Sequence, residues 1–477
     1  MEAAPLSQSP GPVHRTADLH VWLSCALAML AGALLRIWML RSFFEVSGDS
    51  QLYGGMAKNL LQHGRYAISD GHGILQATLI RLPGYPLFLA ACFQLFGMEN
   101  YYSAALVQIA LELFACLLLA SAVRRISPPA YRSRAAHATL WLAALCPFTA
   151  IYAAEPLTEA LSVFTVAVAL WAAARFQDQQ DWTAALTFTS SVTFAALLRP
   201  DGALVAVALA PVLLLALARR RSNGGWMQSG GRMVLVCMLL ALAPFAAWTW
   251  RNARVFHVFQ PLAPRYATDP GENTLPGWQR WVKTWSLDFV STYQVYWNMP
   301  GAPLMVADLP PRALDSAAQR ALTARLFADY EANGEEISPA LDDRFAQLAN
   351  ERIAAHPLRY YGWLPLGRMA DMWLRPRVEN LPIDLDWWVY AHHNQETRFS
   401  WFYAGLNALY LLLALIGLCL RPRLWLWMLL YMLLRSALLC TIEAPEARYT
   451  IECFPMIFVL GGVALGRAFA PRKAVNG

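Results

Sequence analysis

Asp49 is the residue in this sequence that is best placed for chemistry. It lies about seven residues beyond the first long apolar run, and Tyr53 follows it by four residues. A carboxylate in such a position can accept a proton from an attacking hydroxyl group, as a general base does. An aspartate can also serve as the N-cap of a helix, here one predicted over residues 50–62. The sequence therefore predicts either a base or a helix cap at this position.

Two more acids, Glu155 and Glu159, lie four residues apart at the start of the apolar run 156–174. On one helix this spacing would place both carboxylates on the same face, where they could line one cavity. Acids at a helix N-terminus also stabilise the helix without any chemical role. Two separate predicted outer loops, one with Asp49 and one with this pair, thus offer acids at membrane depth. Ionisable groups there mark functional sites by default, so we expect at least one of these acids to act in chemistry.

Several arginines lie at the ends of apolar runs on the same predicted face as these acids. The planar guanidinium group binds phosphate with two parallel hydrogen bonds and stays charged. Arginines at such boundaries also anchor helices by contact with lipid headgroups. We expect one or two of them to bind a substrate phosphate. The candidates are Arg81, Arg199, Arg251, Arg254 and Arg448.

The composition identifies a multi-pass membrane protein. Of 477 residues, 57% are hydrophobic and only 15% are charged, against about 25% charged in soluble domains. The net charge of +6 comes from short basic clusters between apolar runs, so no nucleic-acid partner is expected. No Cys-x-x-Cys pair occurs, and adjacent His392 and His393 with Glu396 are more typical of a solvated loop than of a metal site. We expect no metal and no cofactor.

The predicted fold is all-α, with about ten transmembrane helices. A span needs about 20 apolar residues to cross a core of about 30 Å. The segment 83–97 is shorter and follows a proline turn, so we predict a re-entrant or interfacial helix there. The ten apolar runs are 19–42, 103–123, 136–153, 156–174, 183–198, 202–218, 232–250, 401–420, 424–441 and 451–469.

Arginine-rich short loops set the predicted orientation. With the N-terminus inside, the basic loops all face the cytoplasm, as the positive-inside rule requires. The outer face then receives the mixed acids, arginines and aromatic residues, and we expect the chemistry there. The loops that define the inner face are 124–134, 219–232 with Arg219, Arg220, Arg221 and Arg232, 421–423, and the C-terminal tail.

The chain divides into four predicted segments. The Pro- and Ser-rich residues 1–18 are expected to be disordered and cytoplasmic. Residues 19–250 would form the transmembrane catalytic core, including the outer loop 43–102. Residues 251–400 are expected to form a small helical periplasmic cap, since their second half has apolar residues at helical spacing. Residues 401–477 would form the last transmembrane helices and a cytoplasmic tail.

Glu112 lies in the middle of an apolar run, where a carboxylate needs a partner. Arg36 and Arg435 lie inside other apolar runs and are the candidate partners. A structural ion pair is favoured over a proton relay.

The order of these motifs resembles the C-type superfamily of integral-membrane glycosyltransferases. It is most similar to bacterial relatives of the protein O-mannosyltransferases (family 39) and to lipid A aminoarabinose and galacturonic acid transferases. The resemblance covers most of residues 20–270 and 400–470. The motifs that carry it are Asp49 with Tyr53, the Arg-x-Pro-x-Tyr-Pro turn 81–86 and the Phe-Gly end of the following segment, Thr158-Glu159, Arg199-Pro200-Asp201, Arg251-Asn252, and Arg448-Tyr449 before Pro455.

The resemblance implies inverting transfer of a sugar from a polyprenyl-phosphate donor to a hydroxyl acceptor. The acceptor would be a lipid, a glycan or a protein, and the active site would face the periplasm from a bacterial inner membrane. Asp49 would be the base, and Glu159 would be the second acid, with Glu155 as a rival. Substrate-binding residues would be Tyr53, Arg81, Arg199, Arg448 and Tyr449.

Two other classes of protein stay open from the sequence. A transporter or flippase of a lipid-linked sugar would have broken helices near the middle of the membrane and two related halves. A scaffold without catalytic activity is the other alternative. The clustering of polar residues at one membrane face favours the transferase over the transporter. Loss of activity in a well-folded Asp49→Asn variant would argue against the scaffold.

Overall fold

The computed structural model describes residues 12–70, 72–220 and 226–471 of the protein. In these residues the fold is almost entirely helical, and a short antiparallel hairpin pairs strand β1 (Ala67–Ser69) with strand β2 (Leu75–Ala77). The hairpin follows α2 in the loop between the first two long apolar helices, α1 and α4. The protein is therefore a helical multi-pass membrane protein, as its composition predicts.

The helices follow one another with short connections in both membrane parts of the chain. Single 3₁₀ or π turns lie at residues 200–202, 292–296, 306–308, 311–313, 359–363 and 447–453. The helices in chain order are α1 (Pro12–Phe43), α2 (Asp49–His63), α3 (Gly84–Phe96), α4 (Tyr101–Ile126), α5 (Arg132–Ala144), α6 (Pro147–Ala154), α7 (Thr158–Gln179), α8 (Trp182–Leu198), α9 (Ala203–Arg220), α10 (Trp226–Phe256), α11 (Pro276–Lys283), α12 (Phe289–Ser291), α13 (Ala317–Ala332), α14 (Pro339–Ala355), α15 (Leu364–Leu374), α16 (Asn394–Cys419), α17 (Trp425–Leu439) and α18 (Phe454–Ala468).

Each of the ten predicted apolar runs coincides with helix. Among the described residues, seven segments are long and apolar enough to span a membrane, or eight if the bent pair α5 and α6 is one span. The runs 183–198 and 424–441 form the shorter apolar helices α8 and α17, and 83–97 forms the short α3. A helix of 13 residues such as α3 is about 20 Å long, too short for a span of about 30 Å.

The N-terminal segment differs from its prediction. Residues 12–18 belong to helix α1, whereas the sequence predicts disorder over 1–18. Proline is tolerated at the first position of a helix, and no proline or glycine follows Pro12 for the rest of that segment. Residues 1–11, Arg221 and the tail residues 472–477 lie outside the described part of the chain.

A buried ion pair holds the bent helix pair in place. Arg36 on α1 donates from Nε to Glu112 Oε2 on α4 at 2.8 Å, and both side chains are buried. The same guanidinium donates to the carbonyl oxygens of Ala143 and Ala144, at 3.3 and 2.7 Å. These carbonyls lie where α5 stops and the chain bends by 50° into α6. In lipid such groups need a partner, so Arg36 is the partner of Glu112 and also stabilises the break.

The segment 251–400 builds a second, smaller core. The indole rings of Trp278, Trp281 and Trp285 are completely buried there. Trp278 and Trp281 pack against Phe345 of α14, and Trp285 packs against Trp281. Asp342 accepts hydrogen bonds from the backbone N–H groups of residues 277 and 278, which fixes the start of α11 on α14. The two helices predicted from the apolar spacing are α13 and α14.

We expect Arg36→Met to destabilise the protein by about 3–5 kcal/mol, since removing one partner leaves a buried charge and free carbonyls. The measurement is the unfolding free energy or melting temperature in detergent. The double variant Arg36→Met with Glu112→Leu is the control, because it also removes the orphaned carboxylate. A proton relay would give a different result: the single variant would fold normally and lose activity only.

Candidate functional site

Asp49 is the first residue of α2 and not its cap. Gly48, with a positive φ of 49°, is the N-cap residue, and it provides no side-chain hydrogen bond. Glycine suits this conformation because it has no Cβ. The Asp49 carboxylate is therefore free of the helix backbone. Its Oδ1 accepts a hydrogen bond from Arg81 Nη2 at 2.9 Å.

Arg81 reaches Asp49 because the turn that follows it is packed against α8. A Cβ at Gly84 would lie 2.6 Å from the carbonyl carbon and oxygen of Leu197, so only glycine permits this close approach. Pro83 is the N-cap of α3 and stops the preceding extended chain. The motif Arg-x-Pro-Gly thus places the guanidinium beside the start of α2.

Arg448 connects three carboxylates from different parts of the chain. Its Nη2 lies 3.5 Å from Asp49 Oδ2, and its Nε lies 4.0 Å from Glu159 Oε1 and 2.6 Å from Glu446 Oε2. The residues come from the start of α2, the start of α7 and the turn before α18. The sequence assigns Asp49 and Glu159 only to the same membrane face. In the structure both lie next to one cation, Arg448.

Arg199 forms a second set of ion pairs next to the first. It lies 3.3 Å from Glu159, 3.2 Å from Asp201 and 3.4 Å from Glu452. Arg435 closes the set from inside the protein, at 3.1 Å from Asp201 and 2.7 Å from Glu452. We call the nine charged residues of these two sets the ion-pair cluster: Asp49, Arg81, Glu159, Arg199, Asp201, Arg435, Glu446, Arg448 and Glu452.

Tyr449 links the two halves of the cluster. The guanidinium carbons of Arg199 and Arg448 lie 5.1 and 5.3 Å from the centre of its ring. Its hydroxyl donates to Glu446 Oε1. Its backbone carbonyl accepts from Arg435 Nε at 2.7 Å. The ring therefore keeps two cations in fixed positions.

Tyr53 and Glu155 lie outside the ion pairs. Tyr53 is buried one turn after Asp49, with its ring against Tyr85 at 5.1 Å. Both carboxylate oxygens of Glu155 accept from Asn380 Nδ2, at 2.7 and 2.8 Å.

The predicted one-turn relation of Glu155 to Glu159 is wrong. Glu155 is extended, with φ −101° and ψ 142°, and α7 starts only at Thr158. Pro156 explains this, because proline disfavours helical backbone in the residue before it.

The accessibility of the acids separates their possible roles. The Asp49 side chain is 30% exposed, whereas that of Glu159 is 2% exposed. Burial alone would raise the pKa of Asp49, but Arg81 and Arg448 lower it, and the net pKa lies below its ordinary value. Asp49 is thus a reachable, charged carboxylate, and Glu159 is an enclosed one.

The pKa of the Glu446 carboxyl is shifted upward, in the opposite direction from that of Asp49. Burial raises its pKa, and the adjacent Arg448 and the Tyr449 hydroxyl only partly offset this. Glu446 is therefore easier to protonate than a free glutamate, although it contacts a cation at 2.6 Å.

Four members of the cluster were not assigned a role from the sequence: Asp201, Arg435, Glu446 and Glu452. Charged residues inside apolar segments need partners, and this signal applies to Arg435 and Glu452. The sequence analysis gives Arg435 only as a candidate partner of Glu112, whereas its partners in the structure are Asp201 and Glu452. Glu446 lies two residues before Arg448 in the same turn. This closeness in sequence indicates that Glu446 belongs to the same site as Arg448.

Two other candidate sets lie apart from the cluster. Arg251 donates to the carbonyls of Tyr66 and Thr78, and Arg254 lies over the Trp250 ring, so both have structural partners. His393 lies 3.3 Å from Asp384 and 3.7 Å from Glu396. These three side chains are close enough to hold a metal ion, but exposed acidic groups commonly lie this close together without one.

The fold and the ion-pair cluster define a helical multi-pass membrane protein with a charged site at one membrane boundary. Residues 81–250 match the sequence profile of the dolichyl-phosphate-mannose-protein mannosyltransferase family. This match, over about a third of the chain, confirms the resemblance seen in the sequence and indicates a membrane glycosyltransferase. Arg81, Glu155, Glu159 and Arg199 lie in the matched segment, and Asp49 and Arg448 lie outside it.

Two crystal structures are similar in their helical arrangement. Both are of ArnT from Cupriavidus metallidurans, in the apo state and bound to undecaprenyl phosphate. The apo structure has 16% identity and a TM-score of 0.40, over 96% of this chain and 78% of that one. The bound structure has 14% identity and a TM-score of 0.40, over 94% and 77%. No curated protein matches the chain significantly.

Glu155 generates a pH prediction. Burial raises its pKa to about 8, from an ordinary value of 4.5. The folded state therefore holds a proton that the unfolded state has lost, and this contribution to stability disappears as the pH rises through about 8. We expect the melting temperature of the wild type to fall more steeply than that of Glu155→Gln between about pH 5 and pH 9. The exposed Glu331→Gln is the control. Parallel profiles for all three proteins would contradict the raised pKa.

Proposed function

We propose that the protein transfers a sugar from a polyprenyl-phosphate donor to a hydroxyl acceptor, with Asp49 as the base. The observation that carries this proposal is the meeting of Asp49 and Glu159, from separate outer loops, at the single cation Arg448. The distances of 3.5 and 4.0 Å place a reachable carboxylate and a guanidinium side by side. Base and phosphate ligand must belong to one site in this reaction, because they act on opposite sides of the same sugar carbon.

The bonds in the proposed reaction change as follows. The acceptor oxygen attacks the anomeric carbon and loses its proton to the Asp49 carboxylate. The bond from that carbon to the phosphate oxygen breaks, and the polyprenyl phosphate leaves with the electron pair. Attack opposite the leaving phosphate inverts the anomeric centre. Arginines neutralise the charge that develops on the phosphate, so no metal is required.

The cluster supports distinct roles for the remaining residues. Arg81 orients Asp49 through the 2.9 Å hydrogen bond. Arg448 is the proposed phosphate ligand, and Tyr449 and Arg199 support its position. Glu159 is too enclosed to meet an acceptor and would position Arg448 and Arg199. Glu155 joins the core to the segment 251–400 through Asn380, and this segment would form a periplasmic cap that limits access.

The proposed setting is a bacterial inner membrane, with the cluster facing the periplasm and the arginine-rich loops facing the cytoplasm. The distribution of arginines over the short loops supports this orientation. The lipid bilayer supplies the donor laterally. The acceptor class is a lipid, a glycan or a protein.

A transporter of the lipid-linked sugar is the second candidate function. The break between α5 and α6 supports it, because transporters contain such discontinuous helices. Here Arg36 occupies the carbonyls at the break, which leaves them less suited to bind a substrate or an ion. We therefore favour the transferase.

Asp49→Asn should reduce sugar transfer by about 10²–10⁴-fold, the usual contribution of a general base. The assay is transfer of labelled sugar from purified polyprenyl-phosphate sugars in nanodiscs. Asp70→Asn is the matched control, since Asp70 lies in the same outer loop and uses Oδ1 to accept from residues 72 and 74, which asparagine retains. Movement of lipid-linked sugar across liposomes without consumption of any donor would instead favour the transporter.

Arg448→Gln and Glu446→Gln should change donor binding in opposite directions. Loss of the cation should raise the KM for the donor by roughly tenfold or more, because a charge-assisted hydrogen bond contributes about 1.5–3 kcal/mol. Loss of the neighbouring negative charge should lower the KM. Steady-state kinetics with a soluble short-chain donor gives both values, and melting temperatures control for misfolding. Unchanged KM values in two well-folded variants would place the phosphate elsewhere.

A further inference from the structure

A cavity of about 330 Å³ lies between the last turns of α7 and α9 and the first turn of α17. This volume is within the range of small-ligand sites, about 300–1,000 Å³. Its polar lining comes from Gln177, Gln180, Arg219 and Arg423, and its apolar lining includes Leu215 and Trp427.

The cavity is at the opposite membrane boundary from the ion-pair cluster. Helix α7 starts beside Glu159 of the cluster and has 22 residues, which correspond to about 33 Å. The cavity lies at its other end. It is therefore a separate site, and the proposed transfer reaction has no use for it.

The charged groups around the cavity carry an excess of positive charge. Asp178 is shared by two arginines: its carboxylate lies 3.2 Å from Arg125 and 3.0 Å from Arg423. Arg219 lines the cavity and has no ion-pair partner among the described residues. Asp181, next to Gln180, is paired with Arg175 at 2.7 Å. Two carboxylates thus face four guanidinium groups. The N-terminus of α17 adds positive partial charge, and the arginines outweigh the opposite dipole at the ends of α7 and α9.

A buried acceptor in the cavity also lacks a partner. Gln180 is held in a left-handed conformation at the end of α7, and its Nε2 donates to the carbonyl of Ala216 at 3.3 Å. Its Oε1 is buried and has no hydrogen-bond partner in the described part of the protein. Buried acceptors are almost always paired, so this atom calls for a donor from a ligand.

The apolar part of the lining borders the lipid. Leu215 is 45% exposed, and its neighbour Leu214 on α9 is 50% exposed, as expected of side chains that face acyl chains. A free inorganic anion would gain nothing from these contacts. A lipid would make favourable contacts with the polar lining through its headgroup and with the apolar lining through its acyl chains.

We propose that this cavity binds the headgroup of an anionic phospholipid that carries a hydroxyl group, such as phosphatidylglycerol. Its phosphate would lie between Arg219 and Arg423, because guanidinium groups suit phosphate oxygens. A headgroup hydroxyl would donate to Gln180 Oε1, and the acyl chains would follow α9 past Leu215. Basic pockets between membrane helices bind lipid headgroups in this way. In the proposed topology this lipid would belong to the cytoplasmic leaflet. The proposed binding itself does not depend on that topology.

Native mass spectrometry of the purified full-length protein tests this proposal with phosphatidylglycerol and phosphatidylcholine as the two probes. We expect preferential retention of phosphatidylglycerol and a higher melting temperature in its presence. Arg219→Gln should weaken that binding by about fivefold, as the loss of one basic contact implies. Arg134→Gln is the matched control, since Arg134 is an exposed arginine at the same membrane face and does not line the cavity.

A second variant tests the cavity itself. Ala216→Leu adds volume without changing the charge, and it should also reduce the retention of phosphatidylglycerol. Melting temperatures in phosphatidylcholine show whether both variants fold. Equal retention of the two lipids, or equal losses in Arg219→Gln and Arg134→Gln, would overturn the proposal. Equally strong protection by free glycerol phosphate would identify a soluble anion site and would also overturn it.

Discussion

The pairing of buried and partly buried charges at one membrane boundary is the constraint on which the rest of this structure depends. The ion-pair cluster contains five carboxylates and four guanidinium groups. In a medium of low dielectric constant, each of these groups would be very costly alone. The chain can therefore adopt its fold only if the starts of α2 and α7, the turn after α8 and the segment before α18 come together.

The same rule applies to one ion pair deeper in the protein. In the membrane interior, Arg36 joins α1 to α4 and supplies the hydrogen bonds missing at the break between α5 and α6. Helix packing in lipid has no hydrophobic driving force, so polar links of this kind act together with close packing through small residues, such as Gly462 and Gly466 of α18 against α5. The ion-pair cluster differs because some of its side chains, such as Asp49, are partly exposed.

The sequence predicts the helices better than it predicts their partners. Apolar run length determines where helices form, and all ten runs are helical. Local chemistry also explains the exception at Glu155, because Pro156 could have predicted the extended backbone there. The pairing of Asp49 with Arg81 and Arg448 depends on contacts between residues 32 and 399 positions apart, and no local pattern carries this information. For the same reason the sequence predicts that Arg435 needs a partner but does not identify Asp201 and Glu452 as its partners.

Asp49 shares Arg448 with the proposed phosphate site, and this affects how Asp49 would act as a base. In the absence of a donor, Arg81 and Arg448 both stabilise the charged form of Asp49 and lower its pKa, which makes it a weak base. A phosphate bound to Arg448 would compete for that guanidinium and would add a negative charge nearby. Both effects raise the pKa of Asp49, so its basicity would increase only when the donor is in place. The arrangement would thereby limit proton abstraction to the complex in which the sugar can be transferred.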